Sequence, residues 1–134
     1  MHTGTSRVRN MIQKGIGLFF VAAGLNHFLN PGFYLPLIPP AFPFPEFINI
    51  VSGILEIAGG AGYMAGRWRK RSGYFLVLLL ILFIPSHVYF IQLGSCIEGG
   101  LCVPDWVGWV RLVVIHPLLI WGVIHFIKPH KFIS

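Results

Sequence analysis

The sequence contains few charged residues, and this scarcity excludes most classes of soluble protein. Only 10% of its 134 residues are charged, and just four are acidic. Soluble domains carry about 25% charged residues, so this chain has too few to cover a water-soluble globule. Disorder is also excluded, because a disordered chain needs low hydrophobicity, whereas this one is 55% hydrophobic. With a mean hydropathy of +0.75, the composition predicts an integral membrane protein.

Long apolar runs divide the chain into four predicted spans. Residues 11–28, 47–64, 73–93 and 106–127 each approach the roughly 20 apolar residues that cross a hydrocarbon core as a helix. These spans must be helices, because the unpaired edge of an open sheet cannot be satisfied in lipid. The predicted fold class is therefore all-α, a single four-helix membrane bundle over residues 1–134.

Lysine and arginine are absent from two of the three connections between these spans. Nine of the ten basic residues lie before or within the first four residues of the first span, in the second connection or after the last span. They are Arg7, Arg9, Lys14, Arg67, Arg69, Lys70, Arg71, Lys128 and Lys131. The positive-inside rule then predicts that both termini are cytoplasmic, in a bacterial-type inner (plasma) membrane. This distribution argues against removal of the first span as a signal peptide, and it explains the net charge of +6 without a nucleic-acid partner.

Cysteine occurs at only two positions, Cys96 and Cys102, both in the third connection. The predicted external location of this connection favours a disulfide between them. A redox-active dithiol and two free thiols are the alternatives, although the spacing is not that of a CxxC motif. The carboxylates near these cysteines are too few to predict a metal site.

Proline is concentrated in the first connection and interrupts two later spans. Six prolines between residues 30 and 45 exclude a continuous helix there, and the aromatic residues among them predict a lid over the mouth of the bundle. In the third and fourth spans, Pro85 and Pro117 each remove a backbone donor close to a histidine. A kink with unpaired carbonyls next to an imidazole predicts a pocket for a ligand or water.

Ionisable residues lie at membrane depth in all four spans, where they are costly and mark either a function or a structural polar pair. A rise of about 1.5 Å per residue places them in the outer half of the bundle. They are His27, Glu56, His87, Arg111 and His116. Glu56 and Arg111 are expected either to form a buried ion pair that only fixes helix packing or to anchor a ligand. A proton relay through the histidines and haem ligation by His27 and His87 are further alternatives.

The spacing of small and polar residues predicts which helix faces point inward. On the second span they recur every three to four positions and therefore share one face. These residues are Asn49, Ser52, Glu56, Gly59 or Gly60, and Tyr63. Gly17 and Gly24 share a face of the first span, where small residues let helices approach closely. Arg111 and His116 are about 140° apart around an α-helix, so they are predicted not to point at one centre.

Several motifs resemble those of the DoxX-like membrane proteins, over residues 15–92. They are Gly24-Leu25-Asn26-His27-Phe28, Ile38-Pro39-Pro40, Ser52-Gly53-Ile54-Leu55-Glu56 and Phe83-Ile84-Pro85-Ser86-His87-Val88. Where that family commonly has Pro-Ala-Asn, this chain has Pro85-Ser86-His87. The resemblance implies a four-helix bundle with cytoplasmic termini and an association with membrane redox complexes.

Two functions are predicted for such a bundle. In the first, a small lipophilic molecule, either a quinone or a lipid, binds a polar pocket in the outer half, with a membrane redox complex as the extended version. The predicted ligand-binding residues are Glu56, Arg111, His27, His87, Asn26, Ser52 and His116. In the second, the chain is a non-enzymatic accessory protein that helps a partner membrane protein to assemble. An oligomeric channel is a weaker alternative, because the inner halves of the spans are almost wholly apolar.

Overall fold

The computed structural model describes residues 2–127, with side chains from Gly4 onward, and all regular elements in this range are helices. The α-helices are α1 His2–Leu29, α2 Pro31–Tyr34, α3 Pro45–Met64, α4 Arg69–Leu82, α5 Ile84–Gln92, α6 Asp105–Val110 and α7 His116–His125. A 3-10 turn, Leu35–Leu37, follows α2, and a π-helical turn, Arg111–Ile115, joins α6 to α7. The all-helical fold class is confirmed. Lys128 and Lys131, which contribute to the predicted orientation, lie outside the described residues.

Three helical stretches are long and apolar enough to cross a membrane. They are Pro45–Met64, Arg69–Gln92 and Asp105–His125. A fourth qualifies if α1 and Pro31–Leu37 count together, although the chain bends by 98° between them. Pro31 explains the bend, because it has no N–H for the helix ladder and its ring would clash with the carbonyl of His27 if α1 continued.

Helices α1 and α3 run antiparallel and touch along their backbones at pairs of glycines. A methyl group at Gly24 would lie 2.6 Å from the carbonyl oxygen of Gly53, and one at Gly60 would lie 2.5 Å from that of Gly17. Neither distance leaves room for a side chain, so only glycine permits this approach. The predicted glycine face of the first span is therefore the face that packs on α3, as expected for helices that associate by close van der Waals contact.

Side-chain hydrogen bonds to backbone carbonyls bring several helix ends together at one end of the bundle. Gln13 Nε2 donates to the Phe126 carbonyl at 2.7 Å, and the Tyr63 hydroxyl donates to that of Val123 at 2.9 Å. Arg69 Nε donates to the Tyr63 carbonyl at 3.1 Å. This end, the basic end, carries every Lys and Arg among the described residues except Arg111.

The core lies between α1, α3, α4 and α7, on the side toward the basic end. Its buried residues are Phe20, Tyr63, Leu76, Leu79, Leu80, Val123 and Ile127. At the other end of the bundle, the connection between α5 and α6 is closed by a disulfide between Cys96 and Cys102. The Ser95 hydroxyl, which is fully buried, donates to Asp105 Oδ1 at 3.2 Å and ties this loop to the start of α6.

Replacing Gly24 with Ala is expected to destabilise the bundle by about 1–3 kcal/mol, because overpacking forces the backbones of α1 and α3 apart. The measurement is the thermal unfolding temperature of the detergent-purified protein. Gly15 is the matched control on the same helix, since a methyl group there meets nothing within 4 Å. Gly15→Ala should leave the unfolding temperature unchanged or raise it, because alanine favours helix over glycine. An equal response of the two variants would contradict the glycine contact.

Candidate functional site

A cavity of about 610 Å³ lies in the half of the bundle away from the basic end, between α1, α3, α4, α5 and α7. This volume is within the range of small-molecule sites, roughly 300–1,000 Å³. Most lining residues are apolar. The polar side chains in the lining are His27, Tyr34, Asn49, Ser52, Glu56, Ser86, His87, Arg111 and His116. Six of the seven predicted ligand-binding residues are therefore brought together here, and Asn26 is the exception.

His27 is held between two residues of α3. Its Nδ1 lies 2.7 Å from Asn49 Oδ1, and its Nε2 lies 3.3 Å from Glu56 Oε2. The Asn49 amide nitrogen donates back to the His27 carbonyl at 3.0 Å. All three residues are buried. The end of α1 is thus fixed to the first turns of α3 by side chains rather than by apolar packing alone.

The Asn49 amide fixes the tautomer of the His27 ring. Because Asn49 Nδ2 donates to the His27 carbonyl, its Oδ1 is the acceptor and His27 Nδ1 must carry a proton. His27 Nε2 then faces a Glu56 oxygen, and two bare acceptors would repel one another. An attractive contact between the two side chains therefore requires a proton on His27 Nε2 or on the Glu56 carboxyl.

Glu56 keeps an unused acceptor in the cavity. The side chain is 8% exposed, and its Oε2 has no hydrogen-bond partner among the described residues, because the contact with His27 lacks hydrogen-bond geometry. An unsatisfied buried oxygen of this kind costs about 1–3 kcal/mol, more if it is charged. A donor that entered the cavity would remove this penalty.

The predicted ion pair between Glu56 and Arg111 does not form. Within residues 2–127 the one ion-pair partner of Glu56 is His27, and Arg111 has none. The Arg111 guanidinium instead lies over the ring of Phe90, 5.8 Å from its centroid. Of the two alternatives for these residues, the structure does not show the ion pair, because the glycine contact and Asn49 hold His27 beside Glu56 while Arg111 lies on the opposite wall.

Arg111 and His116 line the same cavity, which the α-helical spacing did not predict. Between them, residues Arg111–Ile115 form a π-helical turn in which the His116 N–H bonds to the Arg111 carbonyl. A bond of this i to i+5 type widens the turn and brings residues five apart onto one face. Pro117 supplies the reason, because its ring clashes with the carbonyl four residues earlier in a regular α-helix and it has no N–H to donate.

The break before Pro85 frees a carbonyl that His116 uses. His116 Nε2–H donates a short hydrogen bond to the carbonyl of Leu80, which lies in the last turn of α4, where carbonyls lack helical partners. The His87 ring packs edge-on against that of His116, with 4.7 Å between centroids. An imidazole thus meets a free carbonyl near the break before Pro85, and it comes from the neighbouring helix rather than from His87.

The proline-rich connection covers one side of the cavity. Its contributions to the lining are Phe33, Tyr34, Leu37, Ile38, Pro39 and Phe42. The Tyr34 ring stacks on His27 with 3.8 Å between centroids, and its hydroxyl accepts a hydrogen bond from Asn26 Nδ2 at 2.9 Å. Asn26 also accepts from Asn30 at 2.7 Å. Asn26 therefore holds the covering segment in place and does not reach the cavity itself.

Tyr34, Asn49 and Ser86 are site residues that the sequence-based set omitted. Asn49 and Ser86 carried a usable signal, since Asn49 shares the inward face of α3 and Ser86 lies beside Pro85. Tyr34 carried none, because its position over His27 depends on the 98° bend after α1.

The arrangement leaves little scope for the haem alternative. Both ring nitrogens of His27 are occupied by Asn49 and Glu56, so neither is available as an axial ligand. In the described part of the chain no three His, Cys, Asp or Glu side chains form a group that could hold a metal ion. The chemistry of the cavity is that of hydrogen-bond donors and acceptors beside one fixed positive charge.

The chain belongs to the DUF8561 family, a domain of unknown function, whose family model matches residues 16–125. This match covers more than half of the chain and includes every cavity-lining residue. No curated protein and no solved structure matches the chain significantly.

Replacing Asn49 with Leu is expected to lower the free energy of unfolding by about 2 kcal/mol or more, because a ring N–H and a backbone carbonyl lose their partner. Asn30→Leu is the control, since Asn30 makes a comparable hydrogen bond at an exposed position. Thermal unfolding in detergent should show a clear loss for Asn49→Leu and little change for Asn30→Leu. Equal unfolding temperatures would mean that Asn49 does not fix His27.

Proposed function

We propose that the chain is a four-span membrane protein whose basic end faces the cytoplasm. The exposed apolar side chains along the helices support this, because a soluble bundle would place polar residues there. Examples are Leu18, Leu82 and Leu118, with 61%, 60% and 60% of the residue surface exposed. The clustering of lysine and arginine at one end supports the orientation.

We also propose that the cavity binds a lipophilic molecule with a polar head. The observation that carries this proposal is Glu56 Oε2, a buried oxygen that lines the cavity and has no hydrogen-bond partner among the described residues. Phe20, Leu79 and Leu119 supply apolar walls for a hydrocarbon part. A quinone and a lipid both have a polar head and an apolar part. The DoxX-like resemblance adds a second step to the proposal, in which the chain works within a membrane redox complex.

The route into the cavity is lateral in this proposal. Leu82 and Ile115 line the cavity and are also 60% and 48% exposed on the outer surface of the helices. In a bilayer this surface faces hydrocarbon, so a lipophilic molecule enters from the lipid without crossing water. The proline-rich segment then covers the head-binding end of the cavity.

The orientation is tested with single added cysteines in bacterial cells that express the protein. Glu46→Cys, next to the proline-rich segment, should react with a membrane-impermeant maleimide in intact cells, whereas Lys70→Cys should react only after lysis. The unmodified protein is the background control, because both natural cysteines are in a disulfide. Labelling of Lys70→Cys in intact cells would contradict the proposed orientation.

Ligand binding is tested by native mass spectrometry of protein extracted gently from its membrane. Ser52→Phe fills the cavity and should reduce the occupancy of a bound small molecule at least fivefold. Ile50→Phe adds the same ring on the same helix but outside the cavity, at a position 47% exposed, and should retain the molecule. Equal occupancy in both variants, or a stoichiometric protein partner in place of a small molecule, would contradict the proposal.

A further inference from the structure

The charged side chains that line the cavity are not paired with one another. Glu56 is the only acidic residue in the lining among residues 2–127, and its ion-pair contact is with His27. His87 and His116 carry no negative charge in any protonation state. Arg111 is always protonated in proteins, so the wall that carries it holds a positive charge without a counter-ion among the described residues.

Arg111 is placed to use this charge on a ligand. It lies in the cavity wall, and no carboxylate in the described range is within ion-pair distance of it. Its contact with the Phe90 ring, 5.8 Å from the centroid, leaves the five N–H donors of the guanidinium unpaired. A partly buried cation without a counter-ion is costly in an apolar surrounding, and an anionic group on a bound molecule would remove that cost.

The polar neighbours of Arg111 in the lining also suit an anion. The side chains of Ser86 and His87 line the cavity and can each donate a hydrogen bond into it, and neither side chain has a hydrogen-bond partner among the described residues. An arginine fork beside such donors binds a carboxylate or phosphate in a bidentate manner, with shorter and stronger bonds than a neutral carbonyl makes.

We propose that the molecule bound in the cavity is an acidic amphiphile, with a carboxylate or phosphate head paired with Arg111 and a hydrocarbon tail along the apolar walls. This inference rests on the proposed function and narrows it, since a neutral quinone would leave the Arg111 charge uncompensated. The hydrocarbon tail would extend from the cavity into the lipid at Leu82 and Ile115, where the proposed lateral route lies.

The experiment measures the thermal unfolding temperature of the detergent-purified protein with matched probes. Oleate is compared with methyl oleate, which has the same tail but no charge, and with a short-chain quinone. Dioleoyl phosphatidate tests a lipid with a phosphate head, and inorganic phosphate tests the free ion. Comparison with oleate then shows whether the site prefers a phosphate or a carboxylate. We expect oleate or phosphatidate to raise the unfolding temperature by several degrees, and the ester, the quinone and free phosphate to have little effect.

Four variants locate the effect at the proposed site. Arg111→Gln should weaken binding of the stabilising acid at least tenfold, whereas Arg111→Lys, which keeps the charge but loses the fork, should weaken it less. Ser52→Phe should abolish stabilisation, and Ile50→Phe should preserve it. Since the acid and ester are compared on the unmodified protein, the inference stays testable even if an Arg111 variant does not fold.

The possible failures are distinguishable. Equal stabilisation by oleate, methyl oleate and the quinone, lost in Ser52→Phe, would overturn the acidic head and leave the proposed function intact. Stabilisation by oleate that persists in both Arg111→Gln and Ser52→Phe would place the acid elsewhere and overturn the inference. Stabilisation by free phosphate alone would exclude an amphiphile. No stabilisation by any probe, together with no bound molecule in native mass spectrometry, would overturn the proposed function itself.

Discussion

The close approach of α1 and α3 is the constraint on which the rest of the site depends. A methyl group at Gly53 would lie 2.9 Å from both the Gly24 carbonyl oxygen and the His27 Cβ. A larger residue at this point would push His27 away from α3, and the contacts with Asn49 and Glu56 could not form. If the chain spans a bilayer as proposed, the hydrophobic effect does not drive its helices together, and this backbone contact itself provides the packing that aligns the polar residues.

Two prolines shape the opposite wall of the cavity, because neither has a backbone N–H to donate to the helical hydrogen-bond ladder. Pro85 ends the regular α4 ladder at Phe83, and the Leu80 carbonyl is satisfied by His116 from another helix. Pro117 is accommodated by the π-helical turn at Arg111–Ile115. Both irregularities lie where the backbone borders the cavity, which agrees with the rule that broken backbone at membrane depth is tolerated inside protein and not against lipid.

The sequence was sufficient for the parts of the structure that follow regular helical geometry. The inward face of α3 was predicted correctly, because Asn49, Glu56 and Tyr63 keep the helical period and all three are buried. The relation of Arg111 to His116 was predicted wrongly, because a π-helical turn changes the angle between residues five apart. Tyr34 and the partner of Glu56 were missed for a different reason, since both depend on a bend and a helix contact that no local pattern encodes.

The polar groups of the cavity are arranged differently from those of a core that serves stability alone. Glu56 is the only acidic residue of the described lining, and Arg111 is its only Lys or Arg. In a core that serves stability alone, the charges of these two residues would compensate one another. Instead Glu56 contacts His27, Arg111 has no counter-ion among the described residues, and a space of about 610 Å³ separates the walls that carry them. A cavity, an unsatisfied oxygen and an unpaired cation each lower stability, and here all three occur at one place. Proteins have little free energy of folding to lose, and the coincidence of these costs is the physical basis of the proposal that a molecule fills the space and contacts both polar ends.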